Sequence, residues 1–305
     1  MFTHLLVPLD GSRTAEAVLP AVERLATLLG CSVTLLHVIE ADAPDEVHGD
    51  VHMTTPAEAE TYLEQIAQRL RQAGIAVDRH VHTVPVGDVP RSIAEHADEL
   101  GQDLIVLCSH GGSGPRRFVL GSNAEQVLDH GQTPVLLIQP DAGEPQPTFG
   151  PRRILALVDN APGGRQAIEA ACALASAAQA PLHLLAVVPT LQTMNAEMAA
   201  SGWFMPHTTR EILNLTAEEA HRHLQEWVRT CTQRGVAAEG RVERGDPAPV
   251  IVDVARQMGV DLVVLPVRGI AGLRAFWADS VARKVAGHYP GALLLIPKKQ
   301  GDAGG

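Results

Sequence analysis

Asp103-Leu-Ile-Val-Leu-Cys-Ser-His-Gly-Gly-Ser-Gly-Pro-Arg-Arg-Phe-Val-Leu-Gly-Ser122 is the stretch on which the fold turns. It opens on a short apolar run of the kind that forms a strand covered on both faces. It closes on Gly121-Ser122, from which a helix-like segment, Asn123 to His130, leads away. Backbone N–H groups without Cβ atoms in the way, at the positive end of a helix, are what a phosphate needs. The plainer reading stands beside it: Ser122 is also a good helix N-cap, and a capped helix needs no ligand.

The pattern returns near the far end of the chain. Asp103-Leu-Ile-Val-Leu107 recurs as Asp261-Leu-Val-Val-Leu265, and Gly87-Asp88 as Gly245-Asp246, both at an offset of 158. Leu5-Leu-Val-Pro-Leu-Asp10 recurs as Ile154-Leu-Ala-Leu-Val-Asp159, and Leu35-Leu-His-Val-Ile39 as Leu184-Leu-Ala-Val-Val188, at an offset of 149. A chain of 305 residues has room for two ordinary domains. The offsets make them copies of one domain. The second copy carries nine extra residues (158 − 149) between Val188 and Gly245, expected in the segment Thr190 to Thr209. Copy one is placed at residues 1–140 and copy two at 151–298, with the turn-rich Asp141 to Pro151 as linker.

Within copy one, apolar runs at 4–9, 32–39, 103–108 and 134–138 read as buried strands, and the more alternating Val77 to Val84 as another. Helix-like segments lie at 13–29, 56–73, 89–100 and 122–130. This βαβαβαβαβ order predicts an α/β fold: two tandem, doubly wound, five-stranded parallel-sheet domains, Rossmann-like, with helices on both faces. In such sheets a ligand sits beyond the carboxyl ends of the strands, where the strand order reverses. The loops Asp10-Gly11-Ser12 and Cys108 to Gly121 are expected to meet there.

The bulk composition narrows the partners. With 24 basic against 35 acidic residues the net charge is −11, which repels nucleic acid and anionic lipid, so neither is an expected partner. Met1 to Asp10 has no basic leader and enters a strand pattern at once, which argues against a signal peptide. Ala167 to Val188, the most membrane-like region, is Ala-rich and split by Pro181, so it reads as a helix and a strand rather than a span. The four cysteines have no CxxC or metal spacing, which predicts free thiols and a cytoplasmic protein.

Asp10 after the first strand, Val38 ending the second and Ser-His-Gly-x9-Gly-Ser after the fourth together resemble the universal stress protein family, in a tandem form covering both halves. Nucleotide-binding members carry Gly-x2-Gly-x9-Gly-Ser/Thr in that loop. Gly111, Gly121 and Ser122 match, and Cys108 stands in place of the first glycine. The resemblance implies ATP, with or without Mg2+, as ligand. Asp10 would sit by the ribose and the Val38 backbone would read the adenine edge. Pro8, Leu107 and Cys108 would line the cleft, and Gly111, Gly121, Ser122 and Asn123 would hold the phosphates. It also implies pairing through the last strands, here Pro134 to Ile138 with Ala292 to Ile296 inside one chain, leaving a further homodimer open. No residue reads as a dedicated base and no Walker Lys or Asp pair is present, so slow hydrolysis is the most that is expected.

Copy two departs from that pattern. Pro266 stands where Cys108 does and has no N–H to offer. Arg268 replaces His110, Gly269 remains, and Asp279 replaces the last glycine. A carboxylate there would repel a phosphate by roughly 4 kcal/mol at 4 Å in an effective dielectric of 20. Arg268 and Arg274 are candidates to pair with Asp279. Copy two is therefore expected to bind no ATP.

Other residues have plainer readings. His48 and His52 have a helical metal spacing, but Gly49 interrupts and the segment reads as a loop. His221 and His223 do not share a helix face. Cys108 reads as a buried inert thiol, or as a redox-active one if exposed. Arg116 and Arg117 either reach phosphates or are solvated. Trp203, Phe204, Trp227, Phe276 and Trp277 read as core or interface packing. Two functions compete: an ATP-binding stress or signalling protein, and a nucleotide-free interaction protein. An adenylyl transferase would need a His-x-Gly-His or Ser-Gly-Gly-x-Asp-Ser type loop after strand one, and neither occurs.

Overall fold

The computed structural model describes residues 2–41, 46–47, 50–51, 53–109, 122–139, 149–158, 164–190, 192–193, 206–267 and 281–297. Half one runs β1 (His4–Pro8), α1 (Arg13–Glu16), α2 (Leu19–Leu29), β2 (Ser32–Glu40), β3 (Glu46–Val47), β4 (Asp50–Val51), α3 (Pro56–Gln72), β5 (Val77–Val86), α4 (Val89–Glu99), β6 (Leu104–Cys108), α5 (Ser122–His130) and β7 (Val135–Ile138). Half two runs β8 (Ile154–Leu157), α6 (Gly164–Ala178), β9 (Leu182–Val188), α7 (Pro206–Gln233), β10 (Ala238–Arg244), α8 (Pro247–Gln257), β11 (Leu262–Val267), α9 (Val281–Ala286) and β12 (Ala292–Pro297).

Each half forms a five-stranded parallel sheet, in the order β7-β6-β1-β2-β5 and β12-β11-β8-β9-β10. The strand order reverses beside the first strand of each half, as the βαβ pattern requires. β12 lies antiparallel to β7, with Leu294 opposite Leu136, so the two sheets form one ladder of ten strands. A twofold relation normal to the sheet keeps equivalent helices on the same face. One core cluster accordingly gathers α2, α3, α6 and α7 side chains, and the other gathers α4, α5, α8 and α9. Across the join Arg283 pairs with Glu125 at 3.2 Å, and the Gln139 amide donates to the Ala286 carbonyl at 3.3 Å.

Local chemistry explains the elements. Thr55 and Glu58 form a reciprocal capping box ahead of α3, and Pro56 opens the helix. Ala59, Leu63, Ile66, Ala67 and Leu70 then give it one buried face. Asp103 accepts from the Thr3 and His4 N–H groups at 2.8 and 3.0 Å, anchoring the start of β1 to the start of β6. Asp261 does the same for Arg152 and Arg153 at 2.9 and 3.0 Å. The repeated aspartate is thus a clamp between first and fourth strands.

Three details differ from the sequence reading. The helix expected over 13–29 divides at Ala17 and Val18, whose N–H groups reach back only three residues, at 3.3 and 3.4 Å. Pro20 has no N–H to continue the ladder. The loop around residues 45–52 contains a short antiparallel ladder, Glu46 opposite Val51. His48 and His52 lie outside the described residues. The nine extra residues prove to be a difference of two changes. Val33 pairs with Val77 and Leu182 with Ala238, so the offset has already grown to 161 at the fifth strand, twelve more than 149. Most of that length is helix: α7 has 28 residues against 17 in α3. Copy one then takes back three residues in β5, which has 10 residues against 7 in β10; the register jump between Val38–His82 and Glu40–Val86 accounts for two of them.

Candidate functional site

The carboxyl ends of β1, β2 and β6 open on a cleft of about 500 Å3. This lies within the size range of small-molecule sites. Its first wall follows β1. The Leu9 N–H donates to the Leu36 carbonyl at 2.9 Å, carrying the parallel ladder one residue past Pro8. Asp10 then turns the chain: its carboxylate accepts the Ser12 N–H at 2.9 Å. Gly11 has φ +89°, and a Cβ there would meet the Met53 methyl at 2.9 Å, so the turn needs glycine. Ser12 Oγ accepts the Ala15 N–H at 3.1 Å and caps α1.

The second wall is the end of β2. Val38 is buried there, and the buried His37 donates from Nδ1 to the Leu9 carbonyl at 2.7 Å, tying the two strand ends together. The third wall is Leu107 and Cys108, ending β6. Burial pushes the Cys108 thiol up to about 12, with the negative charge of Asp10 adding to the effect. At neutral pH it is a protonated, unreactive thiol, which favours the inert reading over the redox one. Asn123, in the first turn of α5, completes the rim.

Pro8, Asp10, Val38, Leu107, Cys108 and Asn123 therefore line one cleft. Only the backbone of Ser122 is described, as the first helical residue of α5. Gly111 and Gly121 lie outside the described residues, as do Arg116 and Arg117 and, in half two, Arg268, Gly269, Arg274 and Asp279. The sequence reading missed His37, Glu40, Gly87 and Asp88, which share the cleft. Gly87-Asp88 carried a signal, its recurrence as Gly245-Asp246, but no sequence pattern brings it to the end of β2. Asp88 caps α4 by accepting the Arg91 N–H at 3.1 Å and faces His130 at 3.6 Å.

Asp10, Glu40 and Asp88 are the charged groups of the wall, and no Lys or Arg among the described residues lines it. Such a wall suits hydroxyl and amine donors and repels anions. The rim at α5 is the opposite: its first-turn N–H groups have no intrahelical acceptor, and its dipole favours negative charge. The cleft thus has a donor-seeking wall and an anion-seeking rim. In half two the position of Cys108 is held by Pro266, inside β11 opposite Ile296, and one backbone donor is lost there.

Elsewhere, His223 accepts from the Trp227 indole at 3.2 Å, and Trp227 packs against the core. Trp203, Phe204, Phe276 and Trp277 lie outside the described residues. All four cysteines are free and buried. Among the described residues, no helix is long and apolar enough to cross a membrane.

The sequence profile described as "Universal stress protein family" matches residues 1–139 and again 150–297. A universal stress protein of Methanocaldococcus jannaschii is 28% identical over 158 residues, covering 46% of this chain and 96% of the relative. The Bacillus subtilis universal stress protein YxiE is 30% identical over 134 residues, covering 44% of this chain and 90% of the relative. Each such relative corresponds in length to one half. The crystal structure of a universal stress protein from Archaeoglobus fulgidus superposes over 97% of both chains with a TM-score of 0.71 at 18% identity. A functionally unknown protein of Pseudomonas aeruginosa superposes over 97% of this chain and 93% of its own, with a TM-score of 0.68 at 19% identity. Both extend the likeness in fold across the join.

Proposed function

The chain belongs to the universal stress protein family, and from that premise we propose that it is an ATP-binding stress or signalling protein with one nucleotide site, in half one. The observation that carries this reading is the two-sided chemistry of the cleft. A nucleotide has hydroxyls and an exocyclic amine at one end and a polyanion at the other, and the cleft has acceptors on its wall and N–H donors at its rim. Asp10 takes the ribose hydroxyls, and the backbone at Val38 takes the adenine edge. Pro8, Leu107 and the Cys108 backbone enclose the base. Gly111, Gly121, Ser122 and Asn123 hold the phosphates, with Mg2+ screening them from the acidic wall. Pro266 and Asp279 deny half two the same role. Binding acts by biasing conformation or association, with slow hydrolysis at most. The β7–β12 ladder is the working form of the chain in solution, open to further homodimerisation. Four free buried thiols support a cytoplasmic setting.

Isothermal titration with ATP and Mg2+ tests it. One nucleotide per chain is expected, with affinity lowered about tenfold by Asp10→Ala. Pro266→Gly should leave the stoichiometry at one. Two nucleotides per wild-type chain would refute the asymmetry. No heat and no rise in melting temperature at millimolar ATP would refute the site, because a ligand of the native state must stabilise it. That outcome would leave the nucleotide-free interaction protein, a reading that the Cys108 side chain in the cleft wall favours.

A further inference from the structure

A second cavity, of about 670 Å3, lies between the halves at the amino ends of half one's strands, the end away from the nucleotide cleft. Residues just ahead of β1, β6 and β7 (Phe2, Gln102, Asp103, Thr133) form one side. Helix α6 and the end of β12 form the other. Its floor is apolar, through Phe2, Leu29, Leu174 and Ile296, and Ala170 and Ala173 leave the room. Asp98, Asp103 and Glu169 line it, and among the described residues no Lys, Arg or His does. Glu169 already accepts from Arg165 at 2.9 Å, and Asp103 from the Thr3 and His4 N–H groups. Asp98 accepts from the Thr133 hydroxyl at 3.5 Å and has no cationic partner among the described residues. The Gln102 amide oxygen is buried in the same wall without a donor among the described residues.

The chain's own twofold relation shows what fills the equivalent room at the twin location, where Arg256 stands in place of Asp98. At the offset of 149, Ala21 corresponds to Ala170, Leu25 to Leu174, and Arg24 to Ala173. In the twin location Arg24 lies over the start of half two, close enough to Gly150 that a Cβ there would meet its Nε at 3.3 Å. Phe149 packs against the core beside it. Half one therefore supplies an alkyl guanidinium to the twin location, and half two leaves the corresponding room open with an alanine.

We propose that this inter-half cavity binds a small organic cation, an amine or guanidine on a short aliphatic chain, whose charge meets Asp98 and whose stem lies on the apolar floor. Domain interfaces are common places for such sites, and an aliphatic stem on apolar surface with its charged head at the rim is the arrangement long basic side chains adopt.

Agmatine, which carries both groups, is the probe, titrated into the full chain at matched ionic strength. One equivalent is expected to bind, with a rise in melting temperature of ~2 °C at tenfold excess over Kd. Ala173→Arg, which copies the twin, should abolish binding, and Asp98→Asn should weaken it about tenfold. Saturating ATP should leave agmatine binding unchanged. No binding at millimolar agmatine, equal binding by both variants, or competition by ATP would each overturn the proposal. Should Ala173→Arg fail to fold, the solvent-exposed Asp98→Asn decides alone.

Discussion

Half one and half two share strand order, the aspartate clamp and the placement of helices, yet differ where strands end. At the carboxyl ends, half one offers Cys108 with its N–H and half two offers Pro266 without one. At the join, half one contributes Arg24 and half two Ala173, so one location is covered and the other open. The lesson is that duplication conserves what holds the sheet together and releases what lines its ends. Strand interiors are constrained by two covered faces, whereas loops and helix surfaces are not.

The largest expected effect comes from the join, where the halves should behave alike. Leu136 and Leu294 are buried opposite each other. Leu136→Ala and Leu294→Ala should each destabilise the chain by ~2–5 kcal/mol in urea denaturation. The double variant should lose less than the sum, because each side chain is part of the other's packing. Unequal losses for the two single variants would break the equivalence, and strict additivity would show that the two side chains share no packing.

The clamps come next. Asp103→Ala and Asp261→Ala should each remove ~1.5–3 kcal/mol, since each leaves two backbone N–H groups without their charged acceptor. A large loss for one and none for the other, by the same denaturation, would show that the halves are not stabilised alike.

The smallest effect separates the halves by pH. His80 and His82 on β5 stack around the buried His96 of α4, with ring centroids 4.8 and 4.9 Å from it. Burial, and then the positive charges of His96 and His82, lower the His80 value, against weaker opposite pulls from Glu99 and Glu60. A depressed folded value means that the unfolded chain binds protons first. Stability is therefore full above the ordinary histidine value of 6.5 and falls as the pH drops below it. Half two has Arg241, Glu243 and Val254 at the matching positions. His80→Gln should flatten the slope of melting temperature against pH between about 7 and 5. An unchanged slope would place the acid sensitivity elsewhere.

Much of this was legible in the sequence. Charge-free runs such as Leu104–Cys108 announce strands covered on both faces, and the recurrence of Asp103 as Asp261 announces the duplication. Pro8, Asp10, Val38, Leu107, Cys108 and Asn123 were named from strand ends and the family pattern, and all line one cleft. Glu40 and Asp88 were not found, because the meeting of the end of β2 with the cap of α4 depends on how β5 pairs alongside β2. The nine extra residues were right as a net count, and only the pairing of β5 with β2 and of β10 with β9 resolved them into twelve added before β10 and three added in the longer β5.

The order of elements, the duplication and the chemistry of the loops follow from the sequence alone, because periodicity and repetition are local properties of a chain. The family resemblance had implied that β7 meets β12; tertiary structure alone decided the register of that pairing, that the cleft wall is acidic, and that Arg24 covers one location while Ala173 opens its twin. Those depend on which faces and strand ends come together across more than a hundred residues, and no local pattern encodes such a meeting.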